Sequence, residues 1–341
     1  MDGKQLHQEA LVIDSHNDSI VTHISAGLRS FSGAGGPEQR AERTSAVAHL
    51  RASASSPSPH PVQLNIPKMR TGGIDAAFFA VDNTRAWSNH MLYTMDALGY
   101  FYREVEDHAE DIVVARRADD IIEAKKGGKL AAILAIENSN ALEQSQHVLT
   151  AFYQMGVRTM TLTHSARTWA GDGCEVEGGG GLTAFGRTVV RQMNRLGMLV
   201  DVSHLNDRGF WDTLACSQAP VIASHSCCRA LCAHPRNLTD EQLKALATQG
   251  GVVALTFVPE FIHPDVPDLE GLLNHIDHAV EQAGIDHVAL GSDFDGGGDL
   301  LADATIYPQI TTGLAARGYS EEDLRKILGT NHLRLLRQTI G

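Results

Sequence analysis

The sequence lacks the features of several common functional classes. Its formal net charge is -13 at pH 7, and Lys and Arg form no basic cluster, so nucleic acid is not an expected partner. No uninterrupted apolar stretch reaches membrane-spanning length. The first residues, MDGKQLHQEALVIDSH, contain neither a basic leader with an apolar run nor a small-residue cleavage site. We therefore expect a cytoplasmic protein with no membrane partner.

Cysteine is sparse and shows no paired spacing. The sequence contains five cysteines, which is an odd number, and no CxxC motif. Neither a disulfide framework nor a thiolate zinc site is therefore expected. Free, mostly buried thiols are predicted at Cys174, Cys216, Cys227, Cys228 and Cys232.

Short apolar runs rich in Val, Ile, Leu and Ala recur along the chain, with helix-like segments between them. This alternation is typical of βα units, and the near-continuous hydrophobicity of the runs indicates parallel strands covered on both faces. The predicted strands are residues 10–14, 74–81, 130–137, 157–164, 198–204, 220–225, 251–258 and 287–294. Eight repeats predict a (β/α)8 TIM-type barrel, taken as one domain over residues 1–341. An open doubly wound sheet is the alternative, but no GxGxxG turn follows the first run.

Amphipathic stretches between these runs have recognisable helix ends. Helices are predicted over residues 182–197, 239–251 and 269–284, and Thr239 is a good N-cap with Gln242 three residues further on. Residues 29–66, which include ASASSPSPHP, show no periodicity. This segment is predicted to be a long loop insertion between the first and second strands.

Polar residues with metal-binding or proton-transfer chemistry stand at the ends of six of the eight predicted strands. They are His16, Asp18, Glu137, His164, His204, His225 and Asp293. In a barrel, the carboxyl ends of all strands lie on one face, and that face carries the active site. Residues that are far apart in the sequence are therefore expected to meet there.

The residue types at these ends favour a divalent metal centre. His16 and Asp18 lie two residues apart and can project to the same side of an extended chain. His204 and His225 each close a hydrophobic run, and neutral imidazole with carboxylate suits zinc. A buried histidine satisfied by hydrogen bonds is the alternative for each imidazole. Five ligands with two carboxylates suit two ions, with Glu137 as the bridge and a bridging hydroxide as nucleophile.

Two further residues, Asp293 and Arg236, each have two possible roles between which the sequence pattern does not decide. Asp293, in LGSDFDGGG, is either a sixth ligand or a general base that returns a proton to a leaving amine. Asp295 and Asp299 do not have the spacing of a calcium loop. Arg236, in CAHPRNLTDEQ, either binds a substrate carboxylate with its guanidinium fork or forms a surface ion pair.

Taken together, these segments resemble the membrane (renal) dipeptidase family, peptidase family M19 of the amidohydrolase superfamily. The matching segments run in family order over nearly the whole chain: IDSHND, LNIPKMRTGGIDAAFFAV, AIEN, GVRTMTLTHSARTWA, GLTAFGRTVVRQMNRLGMLVDVSH, VIASHS, HPRNLTDEQL and LGSDFDG. Each fragment is weakly specific, and the set is highly specific.

The resemblance implies a role for each candidate site residue. His16 and Asp18 would hold one zinc ion, His204 and His225 the other, and Glu137 would bridge them. It also implies that His164 contacts the substrate and polarises its carbonyl, that Arg236 binds the terminal carboxylate and that Asp293 shuttles the proton. The family is homodimeric by habit, which makes a homodimer the expected assembly.

The implied reaction is hydrolysis of a dipeptide, often with a D-residue at the C-terminal position. The chain departs from the family at Asn138-Ser139-Asn140, at Asp18-Ser19-Ile20 and in the 29–66 insertion, and these departures bear on substrate choice. Two other functions stay open. One is hydrolysis of a different amide, such as an N-acyl amino acid, at the same centre, and the other is a non-catalytic barrel used for binding.

Overall fold

The strands form one parallel sheet that rolls into a nearly closed barrel. The computed structural model describes residues 3–25, 29–33, 62–84 and 89–341. Within these residues the strands are β1 Ile13–Asn17, β2 Ala76–Asp82, β3 Ile112–Val114, β4 Leu130–Glu137, β5 Val157–Thr161, β6 Leu199–Asp201, β7 Ile222–Ser226, β8 Val252–Leu255 and β9 Val288–Leu290. The hydrogen-bonded order is β1-β2-β4-β5-β6-β7-β8-β9, and β3 pairs with β4. The predicted (β/α)8 TIM-type fold is confirmed.

Each predicted strand overlaps one of the eight barrel strands, although β1, β2 and β7 extend beyond the predicted ends, and β3 was not predicted. The longest pairing joins β2 and β4 from Ala76 opposite Ala131 to Asp82 opposite Glu137, and both strands are buried throughout. Burial on both faces explains their unbroken apolar sequences. β3 pairs only with the first residues of β4, and its three residues are too few to show a period.

The barrel closes where the chain carries its candidate site residues. Asn17 forms a parallel bridge with Phe294, the Asp18 amide donates to the Phe294 carbonyl at 2.9 Å, and the Asp293 amide donates to the His16 carbonyl at 3.0 Å. The end of β1 and the segment after β9 are therefore tied together at the carboxyl face.

Helices cover the outside of the barrel. In the described residues they are α1 Gly3–Glu9, α2 Ser19–Ser25, α3 Ile66–Gly72, α4 His90–Asp107, α5 Ala118–Lys126, α6 Gln146–Gln154, α7 Ala184–Leu196, α8 Asp207–Cys216, α9 Asp240–Thr248, α10 Pro259–Ile262, α11 Leu269–Ala283, α12 Tyr307–Ala316, α13 Glu321–Arg325 and α14 Asn331–Thr339. None of these helices has the length and apolar character needed to cross a membrane.

The three predicted helices are present as α7, α9 and α11. Thr239 and Gln242 form the predicted capping box at the start of α9. α7 ends at Gly197, whose φ of +73° is the left-handed conformation that glycine adopts readily. The five cysteines are free, as predicted, and Cys227, Cys228 and Cys232 are buried.

Most of the predicted 29–66 insertion, residues 34–61, lies outside the described residues. Its described end returns to the carboxyl face of the barrel. The Gln63 amide donates to Asp295 Oδ1 at 2.7 Å, and the Asp295 amide donates to Gln63 Oε1 at 2.7 Å. These reciprocal hydrogen bonds seat the end of the insertion against the loop that follows Asp293.

Candidate metal centre

Four strands deliver imidazoles and carboxylates to the carboxyl face. His16 lies on β1, Glu137 ends β4, His225 lies on β7, and His204 follows β6 by three residues. His204 has a φ of +68°, a left-handed conformation that is uncommon for a residue other than glycine. The turn after β6 therefore directs this side chain by a backbone conformation that local sequence alone would not favour.

Glu137 has one carboxylate oxygen directed to each of two groups of side chains. Its Oε1 atom lies 2.9 Å from His204 Nε2 and 3.5 Å from His225 Nε2. Its Oε2 atom lies 3.6 Å from His16 Nε2. This division of the two oxygens is the geometry expected of a carboxylate that bridges two cations.

The first group consists of Glu137, His204 and His225. The two Nε2 atoms are only 2.8 Å apart, and both side chains are buried. Two imidazole nitrogens and a carboxylate oxygen converge on one point, which is a donor set that suits zinc.

The second group gathers around His16. Its Nε2 atom lies 4.0 Å from Asp18 Oδ2 and 3.9 Å from Asp293 Oδ1, and it makes no hydrogen bond although it is buried. A buried ring nitrogen surrounded by carboxylates fits a ligand that faces a cation. The residues present therefore fit two divalent ions, with nitrogen and oxygen donors for both.

The pKa values of these groups reflect a concentration of negative charge around His16. Burial lowers the pKa of His16, but the negative charge of Glu137, together with that of Asp18 and Asp293, outweighs this effect and raises the pKa to about 10. Burial opposes ionisation of Glu137, but His16 and His204 hold its pKa well below the usual value. A divalent cation would neutralise the same negative charge.

The other two imidazoles favour the neutral form. Burial, assisted by the positive charge of Arg236, lowers the pKa of His204 well below its usual value. Burial also lowers the pKa of His225, and the nearby His16 acts in the same direction. Neutral imidazole is the form that binds metal ions.

Asp293 lies beside the His16 group in a left-handed conformation, with a φ of +61°. Burial raises its pKa to about 6, and the charge of Glu137 acts in the same direction although His16 opposes it. The carboxylates of Asp18 and Asp293 occupy the space where a Cβ atom at Gly296 would lie. Glycine at this position therefore leaves room for both side chains.

His164 and Arg236 contact different candidate ligands. The His164 ring stacks on His204 with 4.1 Å between ring centroids. Arg236 is buried, its Nη2 donates to the His225 carbonyl at 2.9 Å, and its Nε has no hydrogen-bond partner. A surface ion pair, one of the two predicted roles for Arg236, is therefore wrong. Arg236 does not line the cavity described next.

A cavity of about 250 Å³ opens onto the centre. It is lined by Asp18, Asp82, Thr84, Glu137, His164, His204, Asp293 and Gly296. Sequence reasoning missed Asp82, which ends β2 directly after the predicted strand 74–81. The strand-end rule would have found it if that strand had been extended by one residue. It also missed Asp201, a buried carboxylate at the end of β6 that lies close to His16 and His225.

A parallel barrel that gathers imidazoles and carboxylates at the carboxyl ends of its strands belongs to the class of (β/α)8 barrels equipped to bind divalent metal ions. More specifically, this chain belongs to the membrane dipeptidase family, peptidase family M19, whose model matches residues 2–340. The family predicted from the sequence motifs is therefore confirmed.

Individual relatives agree with this assignment. Dipeptidase tcpJ of Claviceps purpurea is 35% identical over 252 residues, which are 72% of this chain and 59% of that protein. An uncharacterized dipeptidase of Schizosaccharomyces pombe is 35% identical over 301 residues, 81% of this chain and 72% of the relative. The chain thus spans less than two thirds of the length of the first of these proteins.

A solved structure also matches nearly end to end. It is a metallopeptidase from Rhodobacter sphaeroides liganded with a phosphinate mimic of the dipeptide L-Ala-D-Ala. The TM-score is 0.82 at 27% identity, covering 97% of this chain and 99% of that chain.

Proposed function

We propose that this protein is a binuclear zinc-dependent dipeptidase. The observation that carries the proposal is the position of Glu137, whose two oxygens face separate groups of ligands. The proposed ligands are five side chains that belong to groups close enough to hold a metal ion: His16, Asp18, Glu137, His204 and His225. Divalent ions bound there would activate water for attack on a peptide carbonyl and would polarise that carbonyl.

Asp293 is proposed to handle the proton. In peptide hydrolysis, water adds to the carbonyl carbon, the C–N bond breaks, and the leaving nitrogen must gain a proton. The Asp293 carboxylate borders the cavity and lies 3.9 Å from His16 Nε2, so it is placed to accept the proton from water and to return it to the amine.

Arg236 and His164 are proposed to hold the substrate. The Arg236 guanidinium is buried without a hydrogen bond at Nε, so it retains a donor for a carboxylate close to His225. Such a contact requires the substrate to extend beyond the described cavity toward Arg236. His164 lines the cavity, where its imidazole can contact the scissile carbonyl.

The dipeptide substrate class, with a D-residue accepted at the C-terminal position, is supported by the relatives. Two of them are named dipeptidases, and the Rhodobacter sphaeroides metallopeptidase holds a mimic of L-Ala-D-Ala. A homodimer and a cytoplasmic location stay predictions. Gel filtration of the purified chain measures the first of these directly.

A substrate panel tests the proposed activity. L,L and L,D dipeptides and N-acyl amino acids should be compared at equal concentration, before and after chelation. We expect chelator-sensitive cleavage of dipeptides. Cleavage of N-acyl amino acids alone would replace the dipeptidase proposal with a different amide hydrolase, and zinc binding without any cleavage would support a binding protein.

A further inference from the structure

A buried carboxylate that does not line the cavity is connected through Ser224 to the Nδ1 atom of His225. Asp201 accepts four hydrogen bonds, two at each oxygen. Its Oδ1 accepts from the backbone amides of Ser203 and Ser224 at 3.0 and 3.1 Å. Its Oδ2 accepts from Thr161 Oγ1 at 2.8 Å and from Ser224 Oγ at 2.5 Å. These bonds fix the orientation of the carboxylate completely.

The direction of these hydrogen bonds determines the group to which the Ser224 hydroxyl donates. Both oxygens of the Asp201 carboxylate act as acceptors, so the Ser224 hydroxyl donates its hydrogen bond to Asp201. Ser224 Oγ can then only accept hydrogen bonds from other groups. Its next closest contact is His225 Nδ1 at 2.7 Å, and Ser203 Oγ lies further away at 3.4 Å. His225 must therefore carry its proton on Nδ1, which leaves the Nε2 lone pair directed at Glu137 and His204.

The same serine oxygen also reaches the other group of ligands. His16 Nδ1 lies 3.4 Å from Ser224 Oγ, and the His16 and His225 rings are 3.8 Å apart. A hydroxyl oxygen has two acceptor sites, which is enough for one N–H from each ring. His16 and His225 face different carboxylate oxygens of Glu137.

We propose that Ser224, held by Asp201, is a positioning residue that sets the ring orientation and tautomer of His16 and His225 and so couples the two metal sites. The proposal rests on the binuclear centre described above. Hydrogen-bond partners of ligand imidazoles commonly change metal affinity by about 10- to 100-fold. Here one hydroxyl serves an imidazole of each site, so its loss should weaken both.

Asp201→Asn is the most specific test of this proposal because it keeps the shape of the side chain and replaces one acceptor oxygen by an NH2 donor. The backbone amides of Ser203 and Ser224 require an acceptor, so the Asn oxygen takes the Oδ1 place and its NH2 group takes the Oδ2 place. The NH2 group then donates to Ser224 Oγ, which frees the serine proton for His225 Nδ1. This reversal moves the His225 proton to Nε2 and blocks the ligand position.

Zinc affinity for each of two equivalents should be measured by chelator competition in the wild type, Asp201→Asn, Ser224→Ala and Ser224→Thr. We expect about 10- to 100-fold weaker binding of both equivalents in Asp201→Asn and Ser224→Ala. Ser224→Thr retains a hydroxyl and should recover most of the affinity. Nitrogen-15 NMR of labelled histidine in the metal-free protein should show the His225 proton on Nδ1 in the wild type and on Nε2 in Asp201→Asn.

Ser292→Ala is the matched control. Ser292 Oγ donates to the buried carboxylate of Asp14 at 2.7 Å and also reaches the His16 backbone carbonyl at 3.2 Å, but among the described residues no hydrogen bond joins it to a ligand imidazole. We expect this variant to lose stability but to keep its zinc affinity. Unchanged affinity in both Asp201→Asn and Ser224→Ala would overturn the proposal, and weakening confined to one equivalent would overturn the coupling. Failure of the wild type itself to bind zinc would instead refute the proposed function.

Discussion

At the scale of single residues, Asp293 combines features that are costly unless they serve the site. It holds a left-handed backbone conformation, and its largely buried carboxylate lies close to that of Asp18 and is affected by the charge of Glu137. Left-handed conformations of residues other than glycine cost on the order of 1–3 kcal/mol and cluster at functional sites. Asp293 is therefore the side chain on which proton transfer should depend most strongly.

Asp293→Asn should retain both metal ions and lose about 10²- to 10⁴-fold in kcat, because the amide keeps the shape of the carboxylate but cannot exchange the proton. Steady-state kinetics on a dipeptide, with metal content measured on the same sample, test this. Unchanged kcat with both metals bound would remove the role in proton transfer from Asp293.

Arg236→Ala should chiefly raise KM for dipeptides with a free carboxylate, because the variant loses a charged contact made by the ground state and the transition state alike. Dipeptides amidated at the C-terminus provide the comparison. These amidated dipeptides should bind the wild type more weakly, and their KM should change little in Arg236→Ala. An equal rise in KM for both kinds of substrate would contradict the proposed carboxylate contact.

At the scale of elements, the loop after β9 has room for a side chain at one of two neighbouring glycines but not at the other. A Cβ atom at Gly296 would lie well inside 3.0 Å of both Asp18 Oδ2 and Asp293 Oδ1. At Gly297 the nearest atoms to such a Cβ, on Asp293 and Val258, are 3.7 Å away, which is ordinary contact. Two neighbouring glycines thus face different surroundings.

Gly296→Ala should reduce kcat/KM by about 10²-fold, because a displacement of roughly 1 Å of the reacting groups has an effect of this size. Gly297→Ala is the matched control and should retain close to wild-type activity. Both variants should be assayed with excess zinc and checked for folding by circular dichroism. Equal activity of the two variants would show that the loop yields without disturbing the carboxylates.

The barrel strands could be predicted because a strand that is buried on both faces has a nearly continuous run of apolar residues. β2 and β4 are apolar runs for this reason. β3 is only partly buried, and its three residues are too few to form a recognisable apolar run. The rule that strand ends meet on one face also predicts, from sequence alone, that His16, Glu137, His204 and His225 lie together.

What the strand pattern could not predict depends on packing between distant segments. The burial of Arg236 results from the His225 carbonyl and the Phe261 ring, which its guanidinium covers at 5.3 Å. Asp201 lies within a hydrophobic run, and its four hydrogen-bond donors come from three strand regions. Neither environment follows from the residues adjacent in sequence.

At the scale of the whole molecule, a buried histidine outside the candidate metal centre should make folding sensitive to acid. His332 is fully buried beside Phe78, and neither of its ring nitrogens has a hydrogen-bond partner among the described residues. Burial, with a smaller contribution from Arg334, lowers its pKa to about 3. The unfolded chain therefore takes up this proton near pH 6.5 while the folded chain does not, and stability falls as pH decreases from about 6.5 toward 3.

His332→Leu should remove this dependence. Between pH 7 and pH 5, the free energy of unfolding of the variant should improve relative to the wild type by about 2 kcal/mol, which is the linkage expected for one such proton. Urea unfolding of metal-free protein at the two pH values measures the difference. A pH dependence in His332→Leu identical to that of the wild type would contradict the account.

The measurement that tests the central claim most directly is metal content per chain by elemental analysis, combined with dipeptide hydrolysis before and after chelation. Two divalent sites around Glu137 predict about two zinc equivalents, with cleavage that is lost on chelation and restored by zinc. A chain that binds no metal under zinc-replete conditions, or that cleaves dipeptides equally well in chelator, would contradict the assignment of His16, Asp18, Glu137, His204 and His225 as ligands.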